Sequence, residues 1–324
     1  MNKSNNIDLN FLQEFEDGMN PANATNSSFN FEILGYGEIS TVFGIDTDEN
    51  ANWAFKRLPL FKNLKQAEDY VEFYKSYNHK LEEIGLNLPE CSGFAVKGHK
   101  GIYVTYLMQK RLNSKSIAHK LIHQLPDNQI TVLLHLVLNE ILKVWKHNQK
   151  HPDLVLGIDA QISNWALKDY DEQNINLSEN SELYFIDTST PLIQKNNLEQ
   201  LDAELMLKSA PGFIRPVLRW FFLDDVLTRY YSFRDIAIDI LANFIKEQRK
   251  DLIKISLPII NNFFKEHFDI IKENPIKEKE ILSYYKEDKL IWSIFLATRR
   301  FDKFVKTKIL RKRYEFILPG QIKR

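Results

Sequence analysis

Asp159, Asn164 and Asp187 are the residues of this chain whose types and spacing fit the transfer of a phosphoryl group. Gly157-Ile158-Asp159-Ala160-Gln161-Ile162-Ser163-Asn164 sets an asparagine five positions after an aspartate, and Tyr184-Phe185-Ile186-Asp187 ends an apolar run on a second carboxylate. Phosphoryl transfer needs one carboxylate to orient the attacking hydroxyl, and oxygen ligands for the magnesium that neutralises the phosphates. A single Asp-x4-Asn arises easily by chance, so the reading depends on upstream nucleotide-binding parts being present and in order.

Those parts are present. Phe31 to Ile45 reads as strand, turn, strand, with Gly35 and Gly37 in the turn, where the missing side chains let backbone N–H groups approach phosphates. Taken alone, this stretch is equally well an ordinary hairpin. Nineteen residues past Gly37, Trp53-Ala54-Phe55-Lys56-Arg57-Leu58 places a lysine inside an apolar strand, where an unpaired ammonium is costly to desolvate. An edge-strand lysine reaching out to water is the plain alternative. Behind a glycine turn, Lys56 fits better as the cation for the α- and β-phosphates. Leu64 to Ile84 has helical spacing, and Glu72, sixteen residues beyond Lys56, is the carboxylate expected to orient it, with Glu68 as second choice.

In this order, Gly35-x-Gly37, Ala54-x-Lys56, helical Glu72, Asp159-x4-Asn164 and Asp187 resemble the protein-kinase-like superfamily. The similarity is to its small-molecule branch, typified by aminoglycoside phosphotransferases and choline kinases, and within it to a poorly characterised family. It covers about residues 30 to 195. The resemblance implies a two-lobed α+β protein-kinase-like fold, with a small sheet-plus-helix lobe followed by a mostly helical one. It implies ATP and Mg2+ as cofactors and a small-molecule hydroxyl as phosphoryl acceptor. Asp159 then matches the catalytic aspartate, and Asn164 and Asp187 the metal ligands. Gly35, Gly37, Ser40, Lys56 and Glu72 surround the nucleotide, and Leu107, Met108 and Gln109, which end the run from Gly101, form the hinge whose backbone meets adenine, although the run taken alone is equally an ordinary core strand.

The departures bear on function. Ser40 replaces the third glycine of the loop, and Gly157 stands where the family has the histidine that braces the catalytic loop. Gln161 replaces the lysine that protein kinases place beside the γ-phosphate. Thr188-Ser189-Thr190-Pro191 replaces Phe-Gly, and no Ala-Pro-Glu follows, so a phosphorylation-switched activation loop and a peptide platform are not expected. A catalytically silent nucleotide-binding pseudokinase is the rival reading, and nucleotidyl transfer on the same fold a third. Lys168 to Glu182, rich in Asp, Glu, Asn and Ser, reads as a solvated hairpin tip between Trp165-Ala166-Leu167 and Leu183-Tyr184-Phe185-Ile186, outside the active site.

The elements that must hold these residues follow from composition. With 324 residues and 44% hydrophobic content the chain can bury one large core or two modest lobes. Residues 1–29 read as a partly ordered leader, 30–108 as the nucleotide-binding lobe, and 109–324 as a helical lobe carrying the catalytic loop and metal site. Residues 129–148 are apolar nearly all round, as expected of a buried helix just before that loop. Beyond Pro191 the chain reads as helical, broken at Pro211-Gly212, Pro216, Pro258 and Pro275. Lys plus Arg and Asp plus Glu number 43 each, so no global field draws the protein to nucleic acid or membrane. No apolar run approaches membrane-spanning length and no signal core is evident, so a cytoplasmic location is expected.

Four local features complete the reading. Cys91 is alone and fits a small core residue. His119 and His123 have a metal-compatible helical spacing but no third ligand nearby, and fit solvated histidines. Asp224, Asp225, Arg229, Arg234, Asp235 and Asp239 alternate in sign, as in a structural ion-pair network or a wall that recognises a polar acceptor. The basic run from Arg299 to Arg313, interleaved with Phe301, Phe304 and Val305, fits a solvated helix face whose apolar side lies on the core; contact with RNA or anionic lipid is the alternative.

Overall fold

Five strands of alternating pattern pair into one antiparallel sheet: β1 (Phe31–Tyr36), β2 (Thr41–Ile45), β3 (Trp53–Phe61), β4 (Cys91–Lys97) and β5 (Tyr103–Lys110), in spatial order β1-β2-β3-β5-β4. The structure is a computed structural model that describes residues 8–21, 27–37, 40–47, 50–202, 204–208, 212, 215–216 and 228–319. Because side chains alternate along a strand, central β3 sends Phe55 and Arg57 to one face and Lys56 and Leu58 to the other.

The outer face is covered by α1 (Leu9–Gly18), started by Asp8, whose side chain accepts a hydrogen bond from the Asn10 amide. Leu12 and Phe15 of α1 pack with Phe43, Phe55, Tyr106 and Met108 in a buried aromatic cluster. Within the described residues, this part of the leader is therefore a component of the sheet's own core. On the inner face lies α2 (Leu64–Glu83), capped by Asn63 and buried along Ala67, Tyr70, Val71, Tyr74, Tyr77, Asn78 and Leu81, which is one stripe at helical spacing.

The remainder is mostly helical, so the architecture is α+β, sheet-rich first and helical after, as expected. α3 (Ala118–Leu121) leads into α4 (Asp127–Lys150), whose buried face runs from Ile130 to Val144. Three longer helices follow at Phe233–Lys246, Ile253–Glu266 and Glu278–Phe304. Between α4 and these, short strands fix the loops: β6 (Leu154–Leu156) pairs with β9 (Ile193–Lys195), and β7 (Trp165–Leu167) with β8 (Leu183–Phe185). The chain past Pro191 thus begins as strand, and Pro258 lies within a continuous helix instead of ending it, because the buried face from Ile253 to Phe264 holds that helix in place. Among the described residues no helix is long and apolar enough to cross a membrane.

The β7–β8 hairpin pairs the two flanks as expected, with Trp165 opposite Phe185. Its tip is less solvated than its composition suggests. Leu177 is buried, its N–H donates to Gln129 on α4, and Lys115 pairs with Glu172. One apolar residue in a polar run is enough to fold the insert back onto the helical part.

The basic C-terminal helix keeps most of its cations at the surface, as expected, but departs from expectation at Arg299 and at its phenylalanines. Arg299 is 2% exposed, its guanidinium between the rings of Phe295 and Phe316 at 5.3 and 4.9 Å, while Phe301 and Phe304 are each 55% exposed. Cation–π contact with two rings satisfies the buried charge. The chain after this helix then returns to the sheet, where the backbone oxygen of Glu315 accepts from Arg57 at 2.6 Å and that of Ile317 from Thr41 at 3.3 Å.

Candidate nucleotide-binding and phosphoryl-transfer site

A cleft of about 720 Å³ opens between the sheet and the helical part, lined by Gly35, which lies within β1 opposite Val42 and not in the turn as expected, Gly37 just past that strand, Ala54 and Lys56 from β3, Leu107 and Met108 from β5, and Asn164 and Asp187 from the two loops of the helical part. Its volume is in the range that encloses a small organic ligand. Seven of the sequence-derived site residues, Gly35, Gly37, Lys56, Leu107, Met108, Asn164 and Asp187, thus meet in one cavity although they are spread over more than 150 positions.

Lys56 Nζ donates to both oxygens of Asp187 at 2.8 and 2.9 Å and lies 2.5 Å from Ser189 Oγ. Ser189 in turn donates its hydroxyl to Asp187 Oδ1 at 2.8 Å. Burial works against ionisation of Asp187, but Lys56 and the Ser189 hydroxyl and amide outweigh it and hold the carboxyl below the ordinary range. Asp187 is therefore an anion facing the cleft at neutral pH.

Glu72 does not take part. It lies on the exposed side of α2, paired with Lys75 at 2.9 Å, and Glu68 is exposed as well. The reason is rotational: positions 68, 72 and 75 fall opposite the stripe formed by 67, 70, 71, 74 and 77. That stripe presents tyrosines to the site. Tyr70 donates to the Ser189 carbonyl at 2.7 Å, and Tyr74, which lines the cleft, lies within hydrogen-bonding reach of Thr188. Burial pushes both phenols up, so they serve as neutral donors. The amphipathic pattern of α2 was the available signal, and it excludes Glu72 as readily as it selects the tyrosines.

The expected hinge also shifts. Leu107 to Gln109 are paired on both sides, with Lys56 to Ala54 on β3 and Gly93 to Cys91 on β4, so their backbone groups belong to the sheet. Met108 buries its side chain in the outer cluster. The Lys110 and Arg111 amides still bond to Glu90 and Asn52, and the chain leaves the sheet only at Leu112–Asn113, which also line the cleft. Ser40 is buried behind the glycine turn, its hydroxyl 2.6 Å from where a side chain on Gly37 would begin, so Gly37 cannot be replaced without displacing it.

The loop from Gly157 to Asn164 is shaped by backbone bonds. The Gly157 amide donates to Leu192, the Ile158 amide to Tyr230, and the Ile186 amide to Asn164. Asn164 Nδ2 donates to the Asp159 carbonyl at 2.8 Å, which fixes the amide, and its oxygen accepts a long hydrogen bond from the Ser163 hydroxyl at 3.4 Å. Asp159 is not among the residues that line the main cleft; with Arg229, Tyr230, Asp235 and Asp239 it lines a separate narrow recess.

Gly157, where the resembling family has histidine, proves to be a packing requirement. A Cβ there would come within 2.9 Å of the Tyr231 ring and 3.0 Å of Leu192, and Tyr77 on α2 donates to the Gly157 carbonyl at 2.7 Å. Tyr231 is itself anchored to Glu199 at 2.7 Å. Two tyrosines therefore brace the loop from opposite sides. Gly157→Ala is expected to cost about 1–3 kcal/mol through displacement of the Tyr231 ring; a denaturant midpoint unchanged from the parent protein would contradict this packing.

The remaining expectations divide. His119 is partly buried and lines the cleft, not fully solvated as expected, and burial pushes its imidazole down to about 4, so it is neutral. Cys91 is partly buried, accepts from Asn78 at 3.1 Å, and burial pushes its thiol up, consistent with a packing role. Arg229 bonds to the Tyr284 hydroxyl, Arg234 to Glu280, and Lys246 to both Asp239 and Asp288, which is the structural network; Asp224 and Asp225 lie outside the described residues.

Oxygen donors suit magnesium, which binds one or two side chains and completes its shell with water and phosphate. Asp187 and Asn164, which both line the cleft, carry oxygens of that kind and could hold such an ion. No cluster of three or more His, Cys, Asp or Glu suited to a transition metal occurs among the described residues.

No curated protein matches the sequence. Among solved structures, the chain is similar to WaaP in complex with acyl carrier protein, at 11% identity and TM-score 0.34, over 76% of this chain and 90% of that one. It is similar also to the GDP and kanamycin complex of APH(2")-IIia, at 12% identity and TM-score 0.32, over 81% of this chain and 100% of that one. A family model matches residues 19–303, and the chain belongs to that family, the family of unknown function DUF6206.

Proposed function

We propose that the protein is an ATP- and magnesium-dependent phosphotransferase whose acceptor is a small-molecule hydroxyl. The observation that carries this reading is the Lys56–Asp187 pair, at 2.8 Å, in a cleft that a glycine turn and Asn164 also line. On this reading Lys56 would meet the phosphate oxygens of a bound nucleotide, and Asp187, held ionised, would be a magnesium ligand together with Asn164. Bound magnesium would supply charge neutralisation between the phosphates. Asp159, on the loop that Asn164 and Tyr77 hold in place, accepts a hydrogen bond from the acceptor hydroxyl and orients it for attack.

The silent pseudokinase remains the second reading because Lys56 lacks a helix carboxylate to orient it, its partners being Asp187 and Ser189. Thermal denaturation with nucleotides tests the shared part of both. Saturating ATP with magnesium should stabilise the native state by about 2.7 kcal/mol at a hundredfold excess over Kd. Lys56→Ala should weaken the response and Asp187→Asn should remove its dependence on magnesium. No shift with any nucleotide at millimolar concentration would end the nucleotide reading altogether.

A further inference from the structure

The Glu278–Phe304 helix and the turn after it carry an apolar stripe directed away from the protein. Leu290, Ile294, Phe301 and Phe304 fall on one helical face, and Ile309 and Leu310 extend it; all six are between 42 and 62% exposed. The same surface is basic. Arg300, Lys308, Arg311 and Lys312 are exposed and Lys303 is half-exposed, whereas Asp302, the single acid between positions 299 and 313, is paired with Lys306 at 2.7 Å. Inside, Arg299 is sequestered between Phe295 and Phe316, so the outward apolar face is not a helix that failed to find its core.

We propose that this face binds an anionic membrane surface, the helix lying in the plane of the headgroups with its apolar stripe at the acyl boundary and its cations among the lipid charges. Large aliphatic and aromatic side chains fringed by lysine and arginine are the chemistry of an interfacial helix. RNA would use the cations but offers no place for Leu290, Ile294, Ile309 and Leu310. A two-fold contact between copies of the chain would set Lys308, Arg311 and Lys312 against like charges. The neutral overall charge conceals this local excess, since Lys plus Arg and Asp plus Glu are equal over the whole sequence.

Flotation of the full-length protein with phosphatidylcholine vesicles, with and without phosphatidylserine, tests the proposal. Binding should require phosphatidylserine and weaken as salt is raised. Phe304→Ser combined with Ile309→Ser should lower vesicle affinity about tenfold or more, and Lys308→Glu combined with Lys312→Glu by roughly fivefold for each cation removed. All four positions are exposed, so thermal midpoints should stay at the parent value. Absence of binding to phosphatidylserine vesicles overturns the proposal, as does equal binding by the Phe304/Ile309 variant. Self-association, or retention of RNA, that these substitutions abolish while vesicles are not bound would assign the face to those partners instead.

Discussion

Replacing Asp159 by Asn should leave nucleotide affinity nearly intact and reduce turnover, including slow ATP hydrolysis, by about a hundredfold or more. The separation of the two effects rests on how the loop is built. Asn164 donates to the Asp159 backbone carbonyl at 2.8 Å, Tyr77 holds the Gly157 carbonyl, and the Ile158 amide bonds to Tyr230, so none of these bonds that shape the loop uses the Asp159 carboxylate. Asp159 lines the separate recess, while the groups expected to meet phosphate line the cleft itself. An amide there keeps the size and loses the negative charge that orients a hydroxyl. Phosphate release by the two proteins, measured beside their nucleotide-induced thermal shifts, gives the result. Equal residual hydrolysis with equal nucleotide binding would identify the protein as a silent binder.

Much of the site was legible in the sequence because the signals were ordered along the chain. Gly35, Gly37, Lys56, Asn164 and Asp187 each have an ordinary explanation alone, yet their order admits few folds, and the structure gathers them in one cleft. The partner of Lys56 was misread because spacing from Lys56 was weighed and helix phase was not. Glu72 has the right distance along the chain and the wrong face, 180° from the tyrosine stripe in effect, and Ser189 takes part through a loop whose path no periodicity encodes. The same limit explains Tyr231, which braces Gly157 from 74 positions away. Long-range contacts of single side chains leave no local pattern. Arg299 departs from its type for a different reason: arginine by type belongs in water, whereas here the guanidinium has two aromatic faces to lie between.

The charge network on the outer face of the sheet was wholly hidden, and it carries the largest expected stability effect. Glu16 on α1 accepts from Arg57 Nε and Nη2 at 2.7 and 2.6 Å and from the Tyr106 hydroxyl at 2.5 Å, and both charged side chains are 2% exposed or less. Burial opposes the charge on Arg57, but Glu16, Tyr106 and Glu315 reverse that and hold the guanidinium above its ordinary value. Glu16→Ala would leave that cation buried without its main partner and should destabilise the protein by about 3–5 kcal/mol. Glu315→Ala should cost far less, since its carboxylate lies 3.7 Å from Arg57 and its backbone oxygen still accepts at 2.6 Å. Replacing both charges, Glu16→Leu with Arg57→Met, should recover most of the loss, because no unpaired charge then remains. Glu16 and Glu315 both lie outside residues 19–303, so the network joins two segments beyond the family match through a residue within it. Urea denaturation of the three variants measures this directly. A loss below about 1 kcal/mol for Glu16→Ala, the level of an exposed pair, would mean that water reaches Arg57 and that α1 does not seal the sheet.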